Sequence, residues 1–301
     1  MNVYINYVVI YIYIYIYKMN YLSISSSYNV RPEQNKKIIS YSLYGIGQCL
    51  DKSRGFYKGI FVNFELAKTV YPEWIIRVYM PDDEPVEFIN AIIKMKEIEL
   101  FLVDTNLCLR ALRYLPNDDP LVDIWISRDL DSIVTFREKA AVDDWLTNHP
   151  DKELHIMADN PGHIWIIAGG MFGKKNNNNR TLTTFMIQFS SLANPNEYAV
   201  DCLIAEQFFY RPNNYIQHRS NGNKLNNSVP FPSHDMTNCT FVGDIVDINK
   251  YYVTLDIQNK CTDAHKCIIE HKLQPQPQPR PPQPQPRRQN KRPLMKLMFL
   301  N

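Results

Sequence analysis

The stretch Asp123–Ser132, DIWISRDLDS, restricts what this chain can fold into more than any other. Three apolar residues, Ile124, Trp125 and Ile126, break off into Arg128-Asp129-Leu130-Asp131-Ser132. A short, continuously apolar run suits a strand covered on both faces, as in a parallel sheet between helices. Its charged end then marks where the strand leaves the sheet. Two carboxylates one residue apart suit a divalent cation, because hard cations take oxygen ligands. Asp129 and Asp131 are therefore candidate metal ligands, bridging a cation to a diphosphate. Arg128 either orients these carboxylates or touches phosphate, or it is half of an ion pair.

The flanking segments support a sheet of that kind. Lys37–Leu43 is a strand candidate, and Phe56–Val70 repeats apolar residues at helical spacing through Ile60, Phe64, Ala67 and Val70. Pro72 closes that helix, and Trp74–Met80 reads as a second strand. Glu84–Lys96 is a second helix with Pro85 in its first turn, and Glu99–Val103 is a third strand. Strands alternating with helices predict an α/β fold with a mostly parallel central sheet flanked by helices. Ligands of such sheets sit outside the carboxyl ends of the strands. The loop after the first strand and the RDLDS stretch both belong there. Gly45 and Gly47 follow the first strand, but Leu50 stands where a dinucleotide fingerprint needs its third glycine.

Leu107–Leu115 reads as a short helix with Arg110 and Arg113 on one side. They either face phosphates or pair with Asp118, Asp119 or Asp123. Thr135 and Glu138 have capping-box spacing before the amphipathic helix Phe136–Leu146. Leu154–Met157 is a strand ending at Asp159. His163 precedes an apolar run, Ile164–Ala168, read as a strand entering Gly169-Gly170-Met171-Phe172-Gly173. Those glycines either let backbone amides approach a sugar or phosphate, or form a plain turn. His234-Asp235 has no serine or cysteine motif nearby to complete a triad. No GxxxxGK[ST] stretch occurs, which argues against a P-loop phosphoryl transferase.

The two ends read differently from the body. Residues 3–17 are a Tyr/Ile/Val run, short for a membrane span and without a clear cleavage site. Three readings stand: an extension encoded by a TA repeat, with Met19 as the start; an anchor or signal; or a strand. Residues 273–301 are Pro/Gln-rich and carry Arg280, Arg287, Arg288, Lys291, Arg292 and Lys296 without an acid. That composition predicts a disordered polyproline II tail, with Arg280–Pro284 a possible SH3-type ligand. Taking those six charges from a formal +2 leaves the remainder at −4, so no nucleic-acid partner is expected. The expected organisation is an extension over 1–36, one domain over 37–250, its continuation over 251–272 and the tail. Six scattered cysteines without CxxC spacing argue against a structural zinc site and favour a reducing, cytoplasmic compartment. A Golgi or other membrane location applies if residues 3–17 are a real anchor.

An ordered series of motifs resembles a family of uncharacterised glycosyltransferase-like proteins from viruses, bacteria and some eukaryotes. It comprises SLYG at 42–45, Tyr57 and Gly59, Tyr71-Pro72-Glu73-Trp74, RDLDS, REKAAVDDWL, Asp159-Asn160-Pro161-Gly162-His163 and AGGMFG. Asp201, Pro212, His218, Pro230-Phe231-Pro232 and Phe241-Val242-Gly243 continue it, so the likeness spans about Lys37 to Asp247. The sequence departs from the family's pattern at Cys202, where a glutamine is frequent, and at Leu130. The resemblance implies a GT-A-like fold, a nucleotide-sugar donor (UDP- or GDP-linked), an unknown acceptor, and Mn²⁺ or Mg²⁺. It implies Asp129 and Asp131 at the metal with His218 as a later ligand. It makes Asp159 and His163 donor contacts and puts Asp201 against the acceptor hydroxyl or the donor sugar, as the general base if the transfer inverts; Arg110, Arg113, Arg128, Asp129, Gly169 and Gly170 are the donor-facing candidates that the residues themselves suggest. The other reading is a catalytically degenerate module of this type that binds sugar or protein.

Overall fold

The computed structural model describes residues 22–43, 56–177, 181–192, 194, 197–222, 224–233, 241–248 and 250–251. Its strands are β1 (Leu22–Tyr28), β2 (Lys36–Ser42), β3 (Ile75–Pro81), β4 (Ile98–Thr105), β5 (Val122–Ser127), β6 (Leu154–Ala158), β7 (Phe172–Lys175), β8 (Tyr215–Arg219) and β9 (Ser228–Val229). The helices are α1 (Phe56–Val70), α2 (Val86–Ile93), α3 (Phe136–Asn148), α4 (Leu182–Ser190) and α5 (Val200–Phe209), with a 3-10 helix at Leu109–Asp118. One sheet takes the order β1-β4-β3-β2-β5-β7-β6-β8-β9. Neighbours among β4, β3, β2 and β5 are parallel, as are β6, β8 and β9. β7 lies antiparallel between β5 and β6. The mostly parallel α/β sheet expected from the alternating segments is therefore present.

The chain moves outward from β2 through β3 to β4, then returns to lay β5 on the other side of β2. That reversal is a topological switch point, where open α/β sheets leave a crevice at the strands' carboxyl ends. β5 supplies RDLDS to this crevice. Trp125 and Ile126 are both fully buried, but in different cores. Ile126 packs with Ile60, Phe61, Val142 and Trp145, while Trp125 packs with Tyr114, Phe172 and Phe209. Full burial of side chains of this kind contributes roughly 1.5–3 kcal/mol each.

Two differences from the sequence reading have local causes. Residues 22–28, assigned to the N-terminal extension, form β1 and pair antiparallel with β4. Backbone pairing places this polar strand, helped by Asn29, whose Nδ2 donates to the carbonyls of Ile93 and Met95. Ile164–Ala168 is not a strand; β7 begins only at Phe172, after the glycines. The amides of Ile166 and Ile167 donate to Glu206 Oε1 instead of a strand neighbour. Within the sheet, the polar Lys36, Arg77 and Glu99 are buried across β2, β3 and β4, with Glu99 2.7 Å from Lys36 and 2.6 Å from Arg77.

Among the described residues no helix is long and apolar enough to cross a membrane. The Tyr/Ile run, Gly45 and Gly47, His234-Asp235 and the Pro/Gln tail lie outside the described residues.

Glu84, just beyond β3, carries a stability prediction. Its Oε2 accepts a 2.8 Å hydrogen bond from Tyr57 Oη, while its buried Oε1 has no hydrogen-bond partner among the described residues. Burial outweighs the Tyr57 bond and pushes the carboxyl up to about 7. A folded-state pKa above the unfolded value means that stability falls as pH rises, here between roughly 4.5 and 7. Glu84→Gln is expected to flatten that slope and to stabilise the protein at pH 8 by about 2–3 kcal/mol. Denaturant melts of both proteins at pH 5 and pH 8 check it, and parallel slopes in the two would remove the assignment.

Candidate active site

The strand end is built from below by buried polar groups. The Arg128 guanidinium lies beneath RDLDS, where Nε donates to Glu138 Oε1 at 2.9 Å and Nη1 to the Ser127 carbonyl at 2.7 Å. Tyr71 Oη donates to the same Glu138 oxygen at 3.1 Å. Of the two readings of Arg128, the ion pair is the one formed. The Thr135 hydroxyl accepts from the Glu138 amide and caps α3, so only half of the capping box exists. Asn63 on α1 ties the following turn, donating to the Ser132 carbonyl at 2.9 Å and accepting from the Val134 amide at 3.0 Å.

Above the strand end sits a cluster of two arginines and two aspartates. Leu109, Ala111, Leu112, Tyr114 and Leu115 are buried, which seats the 3-10 helix against the sheet. Side chains three apart eclipse in a 3-10 helix, so Arg110 and Arg113 share one edge. Arg113 pairs with Asp129 through Nη1 and with Asp201 through Nη2, the latter at 2.8 Å. Arg110 Nε lies 3.5 Å from Asp201 Oδ1, and its guanidinium also donates to the Glu197 carbonyl. Two of the nearby aspartates are taken elsewhere. Asp118 caps α4 through the amides of Leu182 and Thr183, and Asp119 pairs with Arg77. Asp201 occupies the first turn of α5, where a helix favours negative charge.

Gly169 and Gly170 lie against this cluster. The Gly169 carbonyl accepts from Ser127 Oγ at 2.6 Å and from Tyr114 Oη at 3.4 Å. A Cβ at Gly169 would lie 2.5 Å from Arg113 Nη2 and 2.8 Å from Tyr114 Oη; one at Gly170 would strike the Asp129 carboxylate. Close backbone approach is thus their role here. Gly170→Ala must move Asp129; if this site turns a substrate over, a displacement on the 1 Å scale costs it roughly 100-fold. Its stability cost is about 1–3 kcal/mol. Turnover and melting temperature measured together check this, and wild-type turnover would contradict it.

Other sequence candidates lie apart from that cluster. Asp159 takes a bidentate pair from Arg137, 2.8 Å at each oxygen, and the Val242 amide at 3.0 Å. Burial works to raise its pKa, but Arg137 and these hydrogen bonds outweigh burial and hold it below the usual carboxylate range. His163 Nδ1 accepts from the amides of Asp159 and Asn160 at 3.0 and 3.2 Å, which puts its proton on Nε2. Burial pushes the His163 pKa down. Together these residues fasten the loop after β6.

His218 is fully buried on β8, with Nε2 3.0 Å from Asp144 and Nδ1 2.9 Å from His155 Nε2. Burial lowers the pKa of both histidines. Both nitrogens of His218 are therefore engaged within the protein, contrary to a metal-ligand role. Asp131 is nearly buried, and its backbone carbonyl accepts the Val246 amide at 3.1 Å.

Carboxylate oxygens have the right chemistry for Mn²⁺ or Mg²⁺. Among the described residues, however, no three His, Cys, Asp or Glu side chains converge on a possible cation position. Asp129 already holds Arg113, and a cation placed there would meet the guanidinium charge. Among the described residues, Asp129 as arranged is taken by Arg113 rather than left open to a divalent ion, and Arg110 and Arg113 are fixed positive charges beside it.

Sequence reasoning passed over Tyr114, Ser127 and Asn63. Asn63 had a signal, because it sits three residues after Ile60 on an otherwise apolar helix face.

The architecture is that of an α/β protein with an acid–arginine cluster at the carboxyl edge of its sheet. No family model matches the chain, and no curated protein matches it. Solved structures similar to it include 4-diphosphocytidyl-2C-methyl-D-erythritol synthase from Anaerococcus prevotii, at 12% identity over 74% of this chain and 96% of that one, with a TM-score of 0.41. A cytidylyltransferase from Leptospira borgpetersenii is 14% identical over 79% of this chain and 97% of that one, with a TM-score of 0.40. A glycosyltransferase involved in glycosylation of the major capsid of PBCV-1 is 13% identical over 62% of this chain and 81% of that one, with a TM-score of 0.36. These likenesses are distant; the chemistry of this site comes from its own residues.

Proposed function

We propose that this protein is a glycosyltransferase moving a sugar from a UDP- or GDP-linked donor to an acceptor hydroxyl. The observation that carries the reading is Arg113, which joins Asp129 and Asp201 at the switch-point edge of the sheet. A donor diphosphate entering the crevice competes with these carboxylates for Arg113 and Arg110. Fixed cations stabilise the charge that develops on the departing diphosphate. The same exchange frees Asp201 from its guanidinium partners. In an inverting transfer its carboxylate then takes the acceptor hydroxyl's proton while that oxygen attacks the anomeric carbon. The anomeric carbon–oxygen bond breaks, and its electron pair leaves with the diphosphate.

The test is a panel of UDP- and GDP-sugars, read by thermal shift and by donor turnover, with Mn²⁺, with Mg²⁺ and with EDTA. At least one donor should raise the melting temperature and be turned over. Asp201→Asn should keep the shift and lose turnover; unchanged turnover removes Asp201 from the chemistry. A panel with no shift ends the reading. The closed Arg113–Asp129–Asp201 set favours a second reading, donor binding without transfer. Binding throughout the panel without turnover would establish that one.

A further inference from the structure

We infer that Tyr198 is a stacking platform for the pyranose ring of a carbohydrate acceptor, at the rim beyond Asp201. This rests on the transferase reading above. Tyr198 is 86% exposed, the most open of the large apolar side chains among the described residues. Leu192, 81% exposed, stands on the same connection between α4 and α5. Such exposure on a loose loop would mean little. Here both chain neighbours of Tyr198 are held. The Glu197 carbonyl accepts the Arg110 guanidinium. Ala199 is buried and left-handed, at φ 61° and ψ 16°, a conformation that costs a residue with a Cβ. The turn thus fixes the ring outward and the Asp201 carboxylate inward, three residues apart.

The placement assigns the ligand. Arg113 holds Asp129, at the switch-point crevice, on one nitrogen, and Asp201 on the other. Tyr198 stands three residues before Asp201 in the chain, next to Glu197, whose carbonyl Arg110 holds. If Asp201 accepts a hydroxyl proton, the molecule bearing that hydroxyl sits beside Tyr198. Pyranose rings present a face of C–H groups, which the electron-rich face of an aromatic ring attracts. Stacking needs the ring and not the phenol oxygen, so phenylalanine and tryptophan should substitute.

The experiment has two arms. In the first, saturation-transfer NMR measures binding of methyl hexopyranosides to the wild type and to Tyr198→Ala, Tyr198→Phe and Tyr198→Trp. At least one hexopyranoside should bind the wild type. Alanine should weaken it by about tenfold, while phenylalanine and tryptophan stay within about twofold. In the second, p-nitrophenyl hexopyranosides serve as acceptors with whichever donor the wild type turns over. Alanine should raise the acceptor's KM by about tenfold and leave the donor's KM in place. Unchanged binding in Tyr198→Ala, equal losses in all three variants, or no hexopyranoside binding to the wild type would each overturn the proposal. Tyr198-dependent binding without donor turnover would instead sink the transferase reading and leave the platform standing. Donor turnover without any pyranoside binding would do the reverse.

Discussion

Arg113→Gln is expected to abolish the proposed transfer and to lower stability by about 3–5 kcal/mol, the usual cost of removing one partner of a buried charge set. Arg113 is buried, and so is Asp201, which would keep only the longer Arg110 contact. Asp129, about one third exposed at its side chain, turns to solvent instead, so most of the stability loss falls on Asp201. Arg113→Lys separates charge from geometry. An ammonium keeps the charge but cannot bridge two carboxylates through a planar fork, so turnover should fall with a smaller loss of stability. Adding Asp201→Asn to Arg113→Gln removes the orphaned charge and should restore part of the stability without restoring turnover. Chemical denaturation and donor turnover on all four proteins check the set. Robust turnover in Arg113→Gln would remove the arginine cluster from the mechanism.

What the sequence shows of this site follows sequence distance. β5 was legible because burial on both faces leaves a continuous apolar run, and its charged end marks the sheet edge. Arg110 and Arg113 were legible as a pair, but not their partners. Asp118 and Asp119 stand nearby in the chain and invite pairing; Asp201, 88 residues beyond Arg113, does not. No periodicity encodes such a contact, since it depends on how α5 packs against the 3-10 helix. His218, implied as a metal ligand, is instead sealed in the sheet, because β8 lies between β6 and β9 and buries the imidazole. β1 was illegible because a polar edge strand is ordered by backbone hydrogen bonds to β4, which leave no apolar pattern.

Arg128 within the RDLDS motif permits a sharp test of structure against chemistry. Glu138→Gln is expected to destabilise the protein by about 3–5 kcal/mol, because it leaves the Arg128 guanidinium buried without its counter-charge. Both side chains are almost fully buried, at 3% and 1% exposure, so solvent cannot compensate. Glu138 also accepts the Tyr71 hydroxyl, which the amide oxygen of glutamine can still do. The loss therefore comes from Arg128. Replacing the pair together, Arg128→Met with Glu138→Leu, should recover most of it, since a buried ion pair is seldom better than a well-packed apolar one. Turnover of the stable double variant then decides the role of Arg128. Retained turnover leaves Asp129 and Asp131 supported by packing alone. Turnover lost in a protein that folds as well as the wild type would mean that the guanidinium, through the backbone of Ser127 and Phe172 that it holds, sets the position of the Asp129 carboxylate.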